Sequence, residues 1–148
     1  MGDVMFNSIL IVCTGNICRS PIGERLFQHY LDSKKIDSAG VGALVGHAAD
    51  EMASTVSKNH GLSLDGHKGK QFDSNLARQY DLILVMEKHH IEKVSSISPE
   101  ARGKTFLLGH WLNKVEIPDP YKQSQEAFEF VYDLIEQSCL SWIKKIDV

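Results

Sequence analysis

The chain has 148 residues, 43% of them hydrophobic and 24% charged, with a formal net charge of −3. That length suits one domain, residues 1–148, able to bury roughly two-thirds of its unfolded surface without covalent staples. Charges of both signs are scattered, which excludes a basic nucleic-acid stripe and a like-charge disordered block, and no run approaches the roughly 18 apolar residues of a membrane helix.

Residues 1–5 read as a short flexible extension. They lack a basic start followed by an apolar signal core, so a reducing cytoplasmic setting is expected. Met1-Gly2 opens like a myristoylation signal, but Phe6 stands where that signal wants Ser or Thr. Ser8-Ile9-Leu10-Ile11-Val12 is a continuous β-branched run, the mark of a strand covered on both faces. A helix is predicted from Pro21 to about Leu31, with Ser20 as N-cap, Pro21 at the first helical position, and Ile22, Leu26 and Tyr30 forming an inward stripe.

Lys35 to Ala39, closed by Gly40, reads as a short edge strand. Ala49 to His60 reads as a helix stopped by Gly61. Asp73 or Ser74 caps a short helix running to Tyr80. Leu82 to Met86 is a second buried strand, Glu87 to about Ile97 a helix, and Thr105 to Leu108 the last strand. Gly109 to Lys122 is a loop stiffened by Pro118 and Pro120. The final helix carries Phe128, Val131, Tyr132, Ile135, Cys139, Trp142 and Ile146 on one face. Strands alternating with helices imply an α/β fold: a four-stranded parallel sheet with helices on both faces, Rossmann-like in arrangement. Ligands of such sheets bind beyond the C-terminal strand ends where strand order reverses, which singles out the loop after the first strand.

That loop is Cys13-Thr14-Gly15-Asn16-Ile17-Cys18-Arg19-Ser20-Pro21. A Cys six residues before an Arg is a weak signal alone; placed between a buried strand and a helix start, with Gly, Ser and Pro in these positions, it is specific. A loop feeding a helix N-terminus gathers backbone N–H groups and the positive end of the helix dipole, which makes a phosphate cradle. Gly15 is expected to permit the bend, and Asn16 is the non-Gly residue best suited to a left-handed turn. Arg19 can clamp two phosphate oxygens at once, as Lys cannot. Thr14, Ile17 and Cys18 complete the phosphate-binding loop.

At the bottom of this positive bowl Cys13 is favoured as a thiolate, Ser20 can donate to it, and a thiolate facing a phosphoryl group is a nucleophile. A cysteine at a strand end is more often plain core, but that leaves Gly15, Arg19 and Ser20-Pro21 without a purpose. Cys18 is either structural or the partner of Cys13 in a reversible protective disulfide. Cys139 belongs to the core face of the last helix.

An aryl phosphate ester leaves as a phenolate, so a placed acid is worth about 10²–10⁴ in rate. Asp119, held between Pro118 and Pro120 after the last strand, lies on the same sheet edge and offers that acid. Pro-Asp-Pro alone would read as a rigid turn; the Cys13 loop tips it toward catalysis. Tyr121 offers a wall for an aromatic ring. His89-His90 and the other histidines show no metal spacing, and a surface helix explains the pair. His110 and Trp111 are not assigned to the cleft, and Lys68 and Lys70 read as a solvated loop.

The Cys13–Pro21 motif with the late Asp119-Pro120-Tyr121 resembles the low-molecular-weight protein-tyrosine phosphatases over nearly the whole chain, from Phe6 to about Trp142. The resemblance implies a metal-free, cofactor-free hydrolysis of phosphotyrosine through a phosphocysteine on Cys13, with Asp119 as acid and then base, Asn16 propping the loop and Ser20 supporting the thiolate. Residues 38–47 and 116–122 look like the bacterial branch, whose members are paired with membrane-anchored tyrosine autokinases that control capsule or exopolysaccharide export. A monomer acting on such a phosphotyrosine protein, without nucleic acid or membrane insertion, is the expected form. Two departures from the eukaryotic pattern stand out: Lys122 replaces a second Tyr, and the wall loop around Leu44 is small and apolar. A flatter cleft of this kind would suit a flexible tyrosine-rich tail. Arsenate reductases share the loop but need mid-chain relay cysteines, absent between Cys18 and Cys139. A cysteine phosphocarrier needs neither Arg19 nor Asp119, and a binding module needs no nucleophile.

Overall fold

The computed structural model describes residues 6–146; the extension assigned to residues 1–5 lies outside that range. Four strands, β1 (Ser8–Cys13), β2 (Lys35–Gly40), β3 (Leu82–Val85) and β4 (Thr105–Leu107), form one parallel sheet in the order β2-β1-β3-β4. Every residue of β1 and β3 is buried, because the alternate side chains of each strand meet a separate layer of helices. Ile9, Ile11, Leu82 and Leu84 pack with Ile22, Leu26, Phe27, Val131 and Ile135 on one face. Leu10, Val12, Ile83 and Val85 pack with Phe72, Tyr80, Val94 and Ala101 on the other.

The first face is covered by α1 (Arg19–Tyr30), α2 (Glu51–Asn59) and α5 (Gln125–Ile146); the second by α3 (Ser74–Ala77) and α4 (Lys88–Ile97). Caps set several boundaries. Asp50 accepts from the N–H groups of Met52 and Ala53, so α2 starts after it and not at Ala49. Asp73 caps α3 through Leu76 N–H. Pro99 ends α4 and begins a 3₁₀ turn, Pro99–Lys104, a segment the hydrophobic pattern left unassigned although Pro at a first helical position is its usual marker. Cys139 is fully buried on α5, as its stripe required.

The chain leaves β1 toward β2 and then crosses back to β3, so the loops after β1 and β3 diverge at the C-terminal edge of the sheet. The loop after β4 returns to the same place. Leu108 N–H bonds to Val85 O at 2.7 Å and Ile117 N–H to Met86 O at 2.9 Å, which lays residues 117–121 beside the Cys13 loop. Among the described residues, no helix is long and apolar enough to cross a membrane.

Candidate active site

Cys13 ends β1 with 2% of its surface exposed, and the next five residues wrap back over it before α1 begins. Among the described residues, no backbone N–H of Thr14, Gly15, Asn16, Ile17 or Cys18 donates to a protein acceptor. Thr14 is exposed, but Gly15 is half-buried and Asn16, Ile17 and Cys18 are buried, and N–H groups left unpaired in such a loop are the signature of an anion site. The left-handed residue of the turn is Asn16, at φ 59°, as expected. Gly15 does not have the expected role. Its φ is not positive, and a Cβ there would meet nothing nearer than Ile17 Cγ1 at 3.7 Å.

The glycine that the loop does require is Gly40 at the end of β2. A Cβ at that position would lie 2.4 Å from Thr14 O and 3.0 Å from Asn16 N. Gly40→Ala is therefore expected to displace the loop, costing about 1–3 kcal/mol in stability by overpacking and lowering kcat/KM by about 10²-fold through lost alignment. Urea titration and steady-state kinetics check both.

The helix start also departs from expectation. Ser20 is not the N-cap; α1 begins at Arg19, and Cys18 in the cap position makes no side-chain cap bond. The physical reason is that the Ser20 hydroxyl is engaged elsewhere. It lies 2.9 Å from Cys13 Sγ and receives Asn16 Nδ2–H at 2.7 Å. With Asn16 donating to it, the Ser20 O–H is left to donate to sulfur. The first turn of α1 is thereby kept open for an external anion.

Asn16 is fully buried at the centre of a brace. Its Nδ2 also donates to Ser38 Oγ at 3.0 Å, and its Oδ1 accepts from Lys70 N–H at 2.9 Å. Its carbonyl meets His67 Nε2 at 2.6 Å, and Ser38 donates onward to Glu24. Residues 67–70 are thus more than a solvated loop: the side chains of Lys68 and Lys70 are exposed, while His67 and the Lys70 backbone fix the anion loop.

Arg19, only 1% exposed, is held by one end. Nη1 donates to Glu87 Oε2 at 2.5 Å and to Ile117 O at 2.8 Å. Nη2 remains toward the cleft, 3.8 Å from Asp119 Oδ2. Burial pushes the Glu87 carboxyl up, but the hydrogen bond and charge of Arg19 outweigh it and hold the group below its usual range. The pair stays ionised, and the guanidinium plane is fixed before any ligand arrives.

Asp119 is itself oriented. Its Oδ1 accepts Tyr121 N–H at 3.0 Å and its carbonyl accepts Gln123 Nε2–H at 3.0 Å, leaving Oδ2 directed to the cleft. The cleft has a volume of about 200 Å³. That is below the usual range for drug-sized ligands, about 300–1,000 Å³, and suits one side chain. Of the residues singled out from sequence, Cys13, Thr14, Gly15, Ile17, Cys18, Arg19, Leu44, Asp119 and Tyr121 line it; Asn16 and Ser20 stand behind it; and Gly42 also lines it, unanticipated.

The three cysteines are free thiols. Burial, followed by the nearby Asp50 carboxylate, pushes the Cys18 thiol far up, and burial does the same to Cys139. Neither competes as a thiolate.

His90 was expected on a surface helix and is instead fully buried. The pattern hid it because α4 packs its first turn against the anion loop. Nδ1 accepts Glu87 N–H at 3.1 Å, and Nε2 lies 2.9 Å from Thr14 Oγ1. Burial first, then the charges of Arg19 and His89, lower its pKa to about 3 against the opposing pull of Glu87. Below the ordinary His range near 6.5, the unfolded chain therefore binds a proton that the folded protein refuses. This share of stability is complete above about pH 6.5 and is lost as pH falls from there toward 3. In His90→Gln the urea midpoint is expected to decline less steeply between about pH 7 and pH 4, as denaturation at several pH values will show.

Two other groupings bring donor atoms within 4.8 Å of one another, Glu87 with His89 and His90, and His60 with Glu129 and Asp133. Neither lines the cleft. Arg19 occupies Glu87 in the first, and in the second His60 bonds Glu129 and stacks on Tyr132. His110 and Trp111 pack around Trp142 and stay clear of the cleft.

Comparison with known proteins agrees with this geometry. Residues 8–148 match the family model described as low molecular weight phosphotyrosine protein phosphatase. A putative low molecular weight protein-tyrosine-phosphatase of Klebsiella pneumoniae is 62% identical, the match covering 96% of this chain and 99% of that one. The low molecular weight protein-tyrosine-phosphatase Etp of Escherichia coli K12 is 56% identical over 99% of both chains. The crystal structure of the tyrosine phosphatase Wzb from Escherichia coli K30, in complex with sulphate, superposes with a TM-score of 0.95 at 63% identity, covering 96% of this chain and 99% of that one. A loop of unpaired N–H groups after a cysteine-ended strand, one guanidinium, one oriented carboxylate and this extent of likeness lead to one family: the chain belongs to the low molecular weight protein-tyrosine phosphatases, cysteine-dependent hydrolases of phosphoric monoesters.

Proposed function

We propose that this phosphatase hydrolyses phosphotyrosine in two steps, with Cys13 as nucleophile, Arg19 as phosphoryl clamp and Asp119 as acid and then base. The observation that carries the reading is the convergence of all three on one cleft the size of a side chain. The dianionic phosphoryl group sits on the free N–H groups of residues 14–18 and on Arg19 Nη2, beneath the positive end of α1. Negative charge on Cys13 Sγ is stabilised by the Ser20 hydroxyl. Sγ attacks phosphorus in line; the S–P bond forms as the P–O bond to tyrosine breaks. Because Oδ1 of Asp119 accepts Tyr121 N–H, Oδ2 carries the proton that the leaving phenolate takes. In the second step Oδ2 removes a proton from water, the water oxygen attacks phosphorus, and the S–P bond breaks to return the thiolate and release phosphate. The substrate ring lies between Tyr121 and Leu44, which are both part-exposed on the cleft wall.

The reading extends to the substrate. The low wall at Leu44 and the Lys122 that follows Tyr121 support an open cleft able to take a flexible chain, as in the tyrosine-rich tail of a membrane-anchored autokinase governing capsule or exopolysaccharide export. In this reading the enzyme works as a cytoplasmic monomer. Phosphate release from a tyrosine-phosphorylated tail peptide, from the same peptide bearing phosphoserine, and from folded phosphotyrosine proteins tests it. Preference for the tail peptide is expected; equal hydrolysis of phosphoserine, or preference for the folded proteins, would count against it.

A further inference from the structure

His90 fills a place at the start of α4 that a capping Glu or Gln usually takes. Glu87 is the N-cap, its backbone carbonyl accepts the His90 N–H at 2.9 Å, and Nδ1 of His90 receives the Glu87 N–H at 3.1 Å. Capping uses only that one nitrogen. The other, Nε2, reaches across to Thr14 Oγ1 at 2.9 Å, a contact spanning 76 positions of sequence. The tautomer follows from the first bond. A nitrogen that accepts an N–H has no proton of its own, so the neutral ring carries its proton on Nε2 and donates it to Thr14.

Thr14 Oγ1 also lies 3.5 Å from Arg19 Nη2, a second group that can only donate. With donors on both sides, the hydroxyl hydrogen has no reason to turn toward the protein and is left for the cleft that Thr14 lines. Arg19, Glu87 and His90 form one closed chain around this point. Glu87 holds Arg19 Nη1 by its carboxylate and His90 Nδ1 by its backbone, while Arg19 Nη2 and His90 Nε2 meet at the same oxygen.

We propose that His90 is a positioning residue that aims the Thr14 hydroxyl at the phosphoryl group as a further hydrogen-bond donor. The inference rests on the phosphatase reading above, since it needs a phosphoryl group in the cleft. His90 touches no substrate; it acts by removing the hydroxyl's freedom to point elsewhere, so the donor is oriented before the anion binds. The titratable and charged groups facing it are Arg19, Glu87 and His89.

The test is a double-mutant cycle read by inhibition with inorganic phosphate and by KM for p-nitrophenyl phosphate. Thr14→Val and His90→Asn are each expected to raise both constants about 10-fold, the worth of one hydrogen bond to an anion. Asn retains an acceptor near the Nδ1 position and so preserves the cap; a purely capping role predicts that it behaves as wild type. Thr14→Ser and His90→Gln, which keep a hydroxyl and a reaching N–H, are expected to stay within about 2-fold of wild type. The pair Thr14→Val with His90→Asn should be no weaker than either alone.

Unchanged phosphate binding in Thr14→Val, or losses that multiply in the double variant, would overturn the proposal. Nitrogen NMR of the wild-type protein gives a reading that needs no variant to fold: a proton on Nε2 is expected, and a proton on Nδ1 overturns it. Wild-type protein that neither turns over the ester nor binds phosphate would sink the phosphatase reading itself, whereas active wild type with a silent Thr14→Val removes only this inference.

Discussion

Cys13→Ser is expected to lower turnover of p-nitrophenyl phosphate by about 10⁵-fold or more, the usual loss when a covalent nucleophile is removed. A serine hydroxyl at this site is not ionised, and the donors that stabilise sulfur's charge offer it too little to change that. The rest of the site is untouched. The free N–H groups of residues 14–18 and the Arg19 guanidinium held by Glu87 and Ile117 O remain in place. Binding of inorganic phosphate should therefore survive within a few-fold, because Cys13 contributes chemistry and the bowl contributes affinity. Kinetics in metal-free reducing buffer alongside calorimetry of phosphate binding separates the two. Equal loss of both would mean that the loop has collapsed and that the sulfur holds its shape.

The second large effect is at Asp119. Asp119→Asn keeps the shape of the turn, since the amide oxygen can still accept Tyr121 N–H, but the group can no longer give or take a proton. A loss of about 10²–10⁴ in kcat is expected with phenyl phosphate. The loss in the first step should shrink with p-nitrophenyl phosphate, whose phenolate leaves without protonation, while the second step stays slow because no base activates water. Values of kcat/KM across phenols of graded acidity, which report the first step alone, measure this directly. A loss independent of the leaving group would show that Asp119 only shapes the cleft.

The architecture was legible in the sequence because β1 and β3 are uninterrupted apolar runs and α5 keeps its stripe for five turns. Such patterns are set by burial on both faces and survive any local detail. That the loop after β1 gathers at one cleft was legible for a different reason: Cys13, Arg19 and Ser20 lie in one contiguous segment between a buried strand and a helix start. What supports that segment was not legible. Glu87, Ile117, His67, Ser38 and His90 reach it from four other parts of the chain, and nothing in their own neighbourhoods marks them.

His90 illustrates the difficulty. Beside exposed His89 it reads as half of a surface pair, and only the packing of α4 against the loop turns it inward. Ser20 and Gly15 were misread in the same way. Ser20 has the right type and place for an N-cap, but its hydroxyl is engaged by sulfur and Asn16; Gly15 looks like the hinge, yet the close approach that demands glycine is made by Gly40 on the neighbouring strand.

Two-step catalysis through sulfur is tested most directly in Asp119→Asn mixed rapidly with p-nitrophenyl phosphate, quenched in acid, and mapped by mass spectrometry. A burst of p-nitrophenol close to about one equivalent of enzyme, with the phosphoryl group on the Cys13 peptide, is the expected result. Turnover without a burst, with Cys13 unmodified at every time point, would contradict it.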